Sequence, residues 1–249
     1  MGDNNFKQND LERFYTLMDR LKNNIGGFRY LSDCHGRMEW PGRGVYFFFE
    51  PGECRQGGDQ YRVVRVGTHA VSRGSKTKLW TRLRTHRGRL SGTGNHRASV
   101  FRLLVGSALI KSKNYPQTAT EMWGKGRSTN RSLRMREEPI EIDVSRYIGS
   151  MPFLFVAIND EPGPESQRKY IERNSIALLS NIKGCPDIPS PSWLGKVCRS
   201  ENVRNSGLWN SDHVFDDYTP EFLDLLEEKV GETIAFCEGC LGENGIGVK

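Results

Sequence analysis

Two short β-rich runs in the first third of the chain constrain its fold most strongly. The first is Gly44-Val45-Tyr46-Phe47-Phe48-Phe49, and the second is the segment Tyr-Arg-Val-Val-Arg-Val-Gly at 61–67. Between them stand Pro51-Gly52 and Gly57-Gly58-Asp59, residue types that favour turns. Runs of β-branched and aromatic residues joined by turn residues are typical of paired antiparallel strands. The sequence therefore predicts a β-hairpin.

Patterns on either side of the hairpin predict a mixed fold. The apolar run from Phe153 to Ile158 predicts a further strand, and apolar residues at helical spacing predict the helices. In chain order these helices start at about Asp10 and end at Gly26-Gly27, cover 77–90, 100–110 and 165–181, and start again at Thr219 with Pro220 in the first position. A chain of 249 residues can bury a core without disulfides. We expect an α+β fold, with a small mixed or antiparallel sheet flanked by helices, an added N-terminal helix and a C-terminal helical extension.

Acidic residues are absent from a long internal stretch. From Gln60 to Thr120 there is no Asp or Glu, whereas Lys and Arg supply thirteen positive charges. The formal net charge of the whole chain is only +6, so the other residues are net negative. Solvated surfaces normally mix both signs of charge, and this stretch therefore favours binding to a polyanion such as nucleic acid. Five more basic residues follow in a segment that we interpret as a flexible basic loop: Lys125, Arg127, Arg131, Arg134 and Arg136.

Four short motifs resemble those of the GIY-YIG nucleases, in the order the family uses. They are Gly44-Val45-Tyr46, Arg65-Val66-Gly67, Arg82-Leu83-x-x-His86, and the segment from Ile171 to Ile176 that contains Glu172. The family includes homing endonucleases, a nuclease of excision repair and some type II restriction enzymes. The resemblance covers about residues 41–210. It implies a helical arm at 1–40, a GIY-YIG-like nuclease core at 41–182 with a basic insertion at about 91–150, and a C-terminal extension at 183–249 that packs on the core.

The resemblance also implies roles in hydrolysing a phosphodiester. Glu172 would bind a single Mg²⁺ or Mn²⁺, hard ions that prefer oxygen ligands. Arg82 would contact the scissile phosphate through its forked guanidinium. Tyr46 would accept a proton from the attacking water, which neighbouring cations would favour. His86, one turn beyond Arg82, would relay a proton or orient Tyr46.

Two further positions carry alternatives. Arg65 stands where the second motif normally begins with Tyr, so a guanidinium replaces a hydroxyl near the attacking water. Either this cation still assists Tyr46, or the chain is a nucleic-acid-binding module that does not cut. The family also uses an Asn that contacts phosphate or backbone, for which Asn210 is our first choice and Asn205 our second. Taken singly, Tyr46 and His86 also fit ordinary core residues.

Together, the motifs and the acid-free stretch predict an endonuclease that acts on DNA, with double-stranded DNA as its partner. The sequence does not distinguish restriction or anti-phage defence from repair or mobile-element roles, but a compact chain favours the first. Cutting both strands needs two active sites, so a homodimer or sequential nicking is implied. A different alternative is an adaptor whose acidic helix after Thr219 docks a protein partner. We expect DNA to contact these basic residues: Arg73, Lys76, Lys78, Arg84, Arg87, Arg97 and Arg102.

Other classes of protein are disfavoured by features that the sequence lacks. No apolar run approaches the roughly 18 to 20 residues that span a bilayer, and residues 1–10 are too polar for a secretory signal. We therefore expect a cytoplasmic protein with no membrane partner. Cys237 and Cys240 form a C-x-x-C pair, but a structural zinc site needs four ligands, so zinc is not expected.

Overall fold

The structure, a computed structural model, describes residues 2–126 and 131–243. Within these residues the strands form one antiparallel sheet in the order β1-β4-β2-β3, and no helix is long and apolar enough to cross a bilayer. The strands are β1 (Arg29–Tyr30), β2 (Gly44–Cys54), β3 (Tyr61–Gly67) and β4 (Pro152–Ala157). The helices are α1 (Gly2–Asn24), α2 (Leu79–Arg87), α3 (Val100–Ser112), α4 (Gln117–Thr120), α5 (Arg131–Gly149), α6 (Gln167–Leu179), α7 (Glu201–Ser206) and α8 (Phe222–Glu243). The α+β fold predicted from the sequence is confirmed.

The central strand β2 is buried on both faces, which explains its continuous apolar run. It pairs with β3 on one side and β4 on the other, so that Tyr46 lies opposite Gly67 and Phe155. Successive side chains of a strand point to opposite faces of the sheet. The odd-numbered residues of 45–49 pack with α1, α6 and α8, whereas Tyr46 and Phe48 pack with α2, α3 and α5. The sheet is therefore the middle of three layers, and Tyr46 faces the helices of the acid-free stretch.

Two predicted helix boundaries differ from the structure. Helix α1 begins at Gly2 rather than near Asp10, and the Asp10 carboxylate accepts a hydrogen bond from the Tyr218 hydroxyl instead of capping a helix. Helix α8 begins at Phe222, so Pro220 precedes it rather than occupying its first turn. The two-residue strand β1 was not predicted, because so short an element leaves no periodic pattern.

The flexible loop predicted at 125–136 is wrong from Arg131 onwards, because helix α5 begins there. Arg127, which we placed in this loop, lies outside the described residues. The inner face of α5 carries Ile140, Val144 and Ile148, which pack into the same core as Tyr46. Burial of this apolar stripe stabilises the helix although Pro139 lies within it. Its exposed face carries three of the basic residues assigned to the loop: Arg131, Arg134 and Arg136.

The outer edge of β3 is covered by residues 207–210. The Trp209 N–H donates to the Val64 carbonyl at 2.6 Å. The Asn210 side chain bonds both the N–H and the carbonyl of Val66, and Arg62 donates to the Gly207 carbonyl at 2.7 Å. This segment therefore satisfies backbone groups that an open sheet edge would leave unpaired.

Candidate active site

Tyr46 lies in the middle of β2, and its side chain is fully buried. Its ring crosses Gly67 on the neighbouring strand. A Cβ atom at position 67 would stand 2.6 Å from Tyr46 Cε2 and closer still to the hydroxyl oxygen. A Cβ atom at Gly44 would overlap the carbonyl oxygen of Val156. Gly67 therefore makes room for the tyrosine ring, and Gly44 allows β2 to lie close to the backbone of β4.

His86, on α2, holds the Tyr46 hydroxyl oxygen 2.8 Å from its Nε2 atom. Its Nδ1 atom lies 2.8 Å from the Oγ of Ser99, which also caps α3 by accepting a hydrogen bond from the Arg102 N–H. Burial, and after it the charges of three nearby arginines, lower the pKa of His86 well below its ordinary value. The ring is therefore neutral at pH 7, with one nitrogen that donates and one that accepts. Such a ring orients Tyr46 through this hydrogen bond.

Two guanidinium groups lie near the pair of Tyr46 and His86. Arg65, on β3, interacts with Tyr46, and Arg82, on α2, interacts with His86. Arg65 is buried and donates to the Trp209 carbonyl, and Arg82 reaches the Ala98 carbonyl only at 3.4 Å. The Nε of each arginine is buried and has no hydrogen-bond partner among the described residues. Buried donors without an acceptor are rare in folded proteins. The pair therefore indicates a place for an anion.

Glu172 approaches the same place from α6. One carboxylate oxygen accepts a hydrogen bond from the Thr68 N–H at 2.9 Å, just beyond the end of β3. Burial raises the pKa of Glu172, and the charges of Arg65 and Arg82 oppose that rise. Burial lowers the pKa of Arg65, and interactions with Tyr46 and Glu172 oppose this decrease. Carboxylate and guanidinium groups are therefore within electrostatic reach of one another.

The chemistry of Glu172 fits a single hard divalent cation. Its second carboxylate oxygen has no hydrogen-bond partner in the described part of the chain, and a cation would offset the cost of burying its charge. Within the same residues no three His, Cys, Asp or Glu side chains form a group that could hold a metal. An ion held here would therefore take one protein carboxylate, with waters and phosphate oxygens as its other ligands. Mg²⁺ is commonly bound in this way.

Comparison with known proteins identifies the domain around this site. The family model of the GIY-YIG domain matches residues 5–235. The chain belongs to the GIY-YIG family. Neither curated proteins nor solved structures gave a match. The match of the family model confirms the family resemblance carried by the four motifs. GIY-YIG nucleases act on DNA and generally use divalent metals.

In this GIY-YIG domain, Asn210 contacts the backbone of the site strand. Its Oδ1 accepts from the Val66 N–H at 3.1 Å, and its Nδ2 donates to the Val66 carbonyl at 2.9 Å. Asn205, our second choice, is exposed on α7, with its Nδ2 3.5 Å from Glu201 Oε1. Asn210 thus attaches the C-terminal segment to β3 at Val66. This position is two residues before Thr68, whose N–H donates to Glu172.

The sequence analysis did not single out His69, which follows Thr68 and is buried. Its Nδ1 lies 3.1 Å from the Thr77 carbonyl oxygen. Since a carbonyl only accepts, Nδ1 carries the proton and Nε2 offers a lone pair, which has no partner among the described residues. Burial, and then the charge of Arg168, lower the pKa of His69 to about 4. The one feature of the sequence that could have indicated His69 is its place two positions after Gly67, the glycine of the second motif.

A second group missed from the sequence is the pair His213 and Asp216. His213 Nδ1 lies 2.9 Å from Asp216 Oδ2, and Arg173, which follows Glu172 on α6, donates to the same oxygen at 2.8 Å. His213 adopts φ of 63°, which is rare for a residue other than glycine. Its charge also opposes the rise in the pKa of Glu172. The pair therefore adjoins the metal-binding carboxylate implied by the family.

Most of the basic residues predicted to contact DNA lie at the surface of the domain. Arg87 is partly exposed, donates to the Cys34 carbonyl at 2.6 Å and lies over the Trp80 ring. Four others are exposed and have no ion pair among the described residues: Arg73, Lys76, Lys78 and Arg84. These five side chains can reach a polyanion, and their role in DNA binding stays a prediction.

Arg102 does not fit that prediction. It is fully buried, donates to the His86 carbonyl at 2.8 Å and forms an ion pair with Glu141 on α5. Burial would raise the pKa of Glu141, but hydrogen bonds and charge from His96 and Arg102 lower it overall. The expectation that Arg102 contacts DNA is therefore wrong, because the sequence analysis missed the helix that supplies its carboxylate. Arg97 stays a predicted DNA contact, although its two terminal guanidinium nitrogens donate hydrogen bonds to Glu137 on α5.

Proposed function

We propose that this GIY-YIG domain is a divalent-metal-dependent DNA endonuclease that hydrolyses one phosphodiester bond per active site. The observation that carries the proposal is the pair of buried, unpartnered N–H groups of Arg65 and Arg82 beside Tyr46 and Glu172. A phosphate oxygen would satisfy such donors with charge-assisted hydrogen bonds. The same donors would stabilise the charge that develops on the phosphorane.

The proposed reaction is direct hydrolysis. Water attacks phosphorus, a new bond to its oxygen forms, and the bond from phosphorus to the leaving oxygen breaks. Tyr46 acts as a phenolate, which takes the proton of the water and passes it to solvent after the reaction. The charge of Arg65 stabilises this phenolate, and neutral His86 orients its oxygen through a hydrogen bond. The leaving oxygen receives a proton from solvent. Glu172 would hold the divalent cation, which when bound would supply positive charge to offset the charge that develops on the phosphate.

Plasmid cleavage tests the proposal. The protein is expected to nick supercoiled plasmid in Mg²⁺ or Mn²⁺ and to stop when EDTA is added. Glu172→Gln should lower the rate by at least about a hundredfold, because a catalytic electrostatic contact is lost. The matched control is Glu165→Gln, an exposed position just before the same helix that should cut at the parental rate.

Three outcomes separate the alternatives. Cleavage that persists in EDTA, or a Glu172→Gln variant that cuts at the parental rate, would contradict metal-dependent catalysis. Salt-sensitive DNA binding with no cleavage in any divalent ion would instead identify a binding module, the alternative raised by Arg65 in the second motif.

A role in restriction or anti-phage defence is the finer part of the proposal. It is supported by membership of a family that includes some type II restriction enzymes, and it predicts cuts at a fixed sequence in double-stranded DNA. Sequencing the ends produced from phage DNA measures this directly. Cuts scattered without sequence preference would contradict a restriction role.

We propose further that two copies act together when both strands are cut, because each site cleaves one strand. Light scattering after size exclusion, with and without DNA, gives the number of copies. A protein that stays monomeric on DNA, yet produces double-strand breaks without a nicked intermediate, would contradict this.

A further inference from the structure

A cleft of about 600 Å³ opens between the C-terminal end of α2, the loop at 88–95 and the first turns of α5. Ala98, which lines the cleft, offers the carbonyl that Arg82 approaches. The cleft therefore adjoins the proposed phosphate site. Five arginines line it: Arg84, Arg87, Arg89, Arg131 and Arg134.

The charge of this cleft is strongly positive and largely uncompensated. Four of its arginines are exposed and have no ion pair in the part of the chain that the structure describes: Arg84, Arg89, Arg131 and Arg134. Of the two acidic residues that line the cleft, Glu141 is engaged by Arg102 and His96, and Glu138 is exposed. A surface of this kind attracts a polyanion and concentrates its phosphates.

An apolar side chain protrudes into the same cleft. Leu90 is 87% exposed, and Met135 on the facing helix is 63% exposed. The loop that carries Leu90 is closed by hydrogen bonds from the Arg89 N–H to the Thr93 carbonyl at 2.7 Å and from the Gly92 N–H to the Arg89 carbonyl at 3.0 Å. The backbone therefore holds Leu90 in solvent rather than letting it fold back.

Phosphates offer Leu90 no apolar surface, but the faces of bases do. In a continuous duplex those faces are covered by stacking, so contact with them requires that one base step opens. Proteins that bend DNA commonly insert leucine, isoleucine, phenylalanine or methionine between base steps while arginines hold the backbone. The arrangement of Leu90 among the arginines matches both parts of this device.

We infer that the cleft binds the DNA next to the scissile phosphate and that Leu90 wedges into an opened base step there, with Met135 completing the apolar contact. The inference rests on the proposed function, since it places the substrate strand relative to the same site. It identifies the preferred substrate as duplex DNA with an easily unstacked step close to the cut, which a mismatch provides in a test duplex.

Fluorescence of 2-aminopurine tests the wedge without cleavage. The Glu172→Gln protein is mixed, in EDTA, with duplexes that carry 2-aminopurine in a matched or a mismatched step. We expect mismatched duplex to bind about tenfold more tightly, the change that partial burial of one leucine side chain would give, and its fluorescence to rise on binding. Adding Leu90→Ala should abolish the rise and the preference. The control Ile188→Ala, a 69% exposed apolar residue outside the cleft, should keep both.

A further variant tests the arginines. Arg134→Gln should lower the slope of log affinity against log salt by about one, as expected for a lost phosphate contact. If Leu90→Ala keeps the preference and the fluorescence rise, the wedge is wrong. If the parent binds and cuts DNA but shows neither the mismatch preference nor the fluorescence rise, Leu90 contacts an intact groove. That result would contradict the wedge and leave the proposed function standing. If the protein neither binds nor cuts any DNA, the proposed function fails with it.

Discussion

Replacing Gly67 with alanine is expected to displace the Tyr46 ring without altering any group that takes part in the chemistry. The added Cβ would stand 2.6 Å from Tyr46 Cε2, whereas carbon atoms in contact are about 3.5 to 4.0 Å apart. The ring must therefore move by about 1 Å. It cannot do so freely, because Phe48 packs against its edge and His86 holds its hydroxyl.

Both activity and stability should respond. A shift of about 1 Å at a catalytic group lowers a rate by about a hundredfold, and overpacking a core costs about 1 to 3 kcal/mol in the free energy of unfolding. Initial rates of plasmid nicking in Mg²⁺ measure the first effect. Urea denaturation followed by tryptophan fluorescence measures the second.

Gly58→Ala is the matched control. Gly58 lies in the turn of the same hairpin, and a Cβ there would have no atom closer than 4.0 Å. This variant should keep the parental rate and stability. If Gly67→Ala also cuts at the parental rate and unfolds at the parental urea concentration, the argument that the motif glycine makes room for the tyrosine is refuted.

Three further predictions concern groups around the site. Ser99→Ala removes the partner of His86 Nδ1 and a helix cap, so the free energy of unfolding should fall by about 1 to 3 kcal/mol and the nicking rate should fall with it. Arg102→Leu leaves Glu141 buried without its ion pair and should cost about 3 to 5 kcal/mol by urea denaturation. The unfolded chain binds a proton that folded His69 does not, so stability should fall as the pH falls from about 6.5, its ordinary value, to about 4. His69→Asn should make this fall shallower by up to about 1.4 kcal/mol per pH unit.

Exposed residues of the same types provide the controls. Ser91→Ala, Arg73→Gln and His35→Asn change side chains that lie at the surface. Each should leave the urea transition unchanged, and Arg73→Gln should weaken DNA binding more at low salt than at high salt. An Arg102→Leu variant as stable as Arg73→Gln would contradict the buried ion pair, and an unchanged pH profile for His69→Asn would contradict the assignment of that histidine as neutral.

Local patterns predicted the hairpin and helices α2, α3 and α6, because each buries a regular stripe of its own residues. Helix α5 escaped prediction because its inner face includes Glu137 and Glu141. Carboxylates normally indicate a solvated face. These two are buried because Arg97 and Arg102, about 40 residues earlier in the chain, lie opposite them. Ion pairs between segments so far apart in sequence cannot be predicted from the residues of either segment alone.

The same limit applies to the site. Tyr46, Arg82 and Glu172 could be named because they belong to motifs in a fixed order, whereas His69 and His213 belong to none. Their positions depend on how the chain after β3 and the segment after Asn210 return to the sheet. The acid-free stretch is also less exposed than its composition indicated, since Arg97 and Arg102 pair with carboxylates of α5, and Arg62 pairs with Glu53 in the same hairpin.

The pairing of residues 207–210 with β3 also sets when a newly made chain can become a nuclease. Arg62 and Val66 bond to residues 145 and 144 positions later, and Thr68 bonds to Glu172 across 104. During translation, the strand with Arg65 leaves the ribosome long before these partners are made, and contacts so distant in sequence form late. A nascent chain or a fragment that stops before 207 carries the tyrosine and both arginines but lacks Trp209 and Asn210, which bond to Arg65 and Val66. We therefore expect the proposed nuclease site to form only after most of the chain has been synthesised.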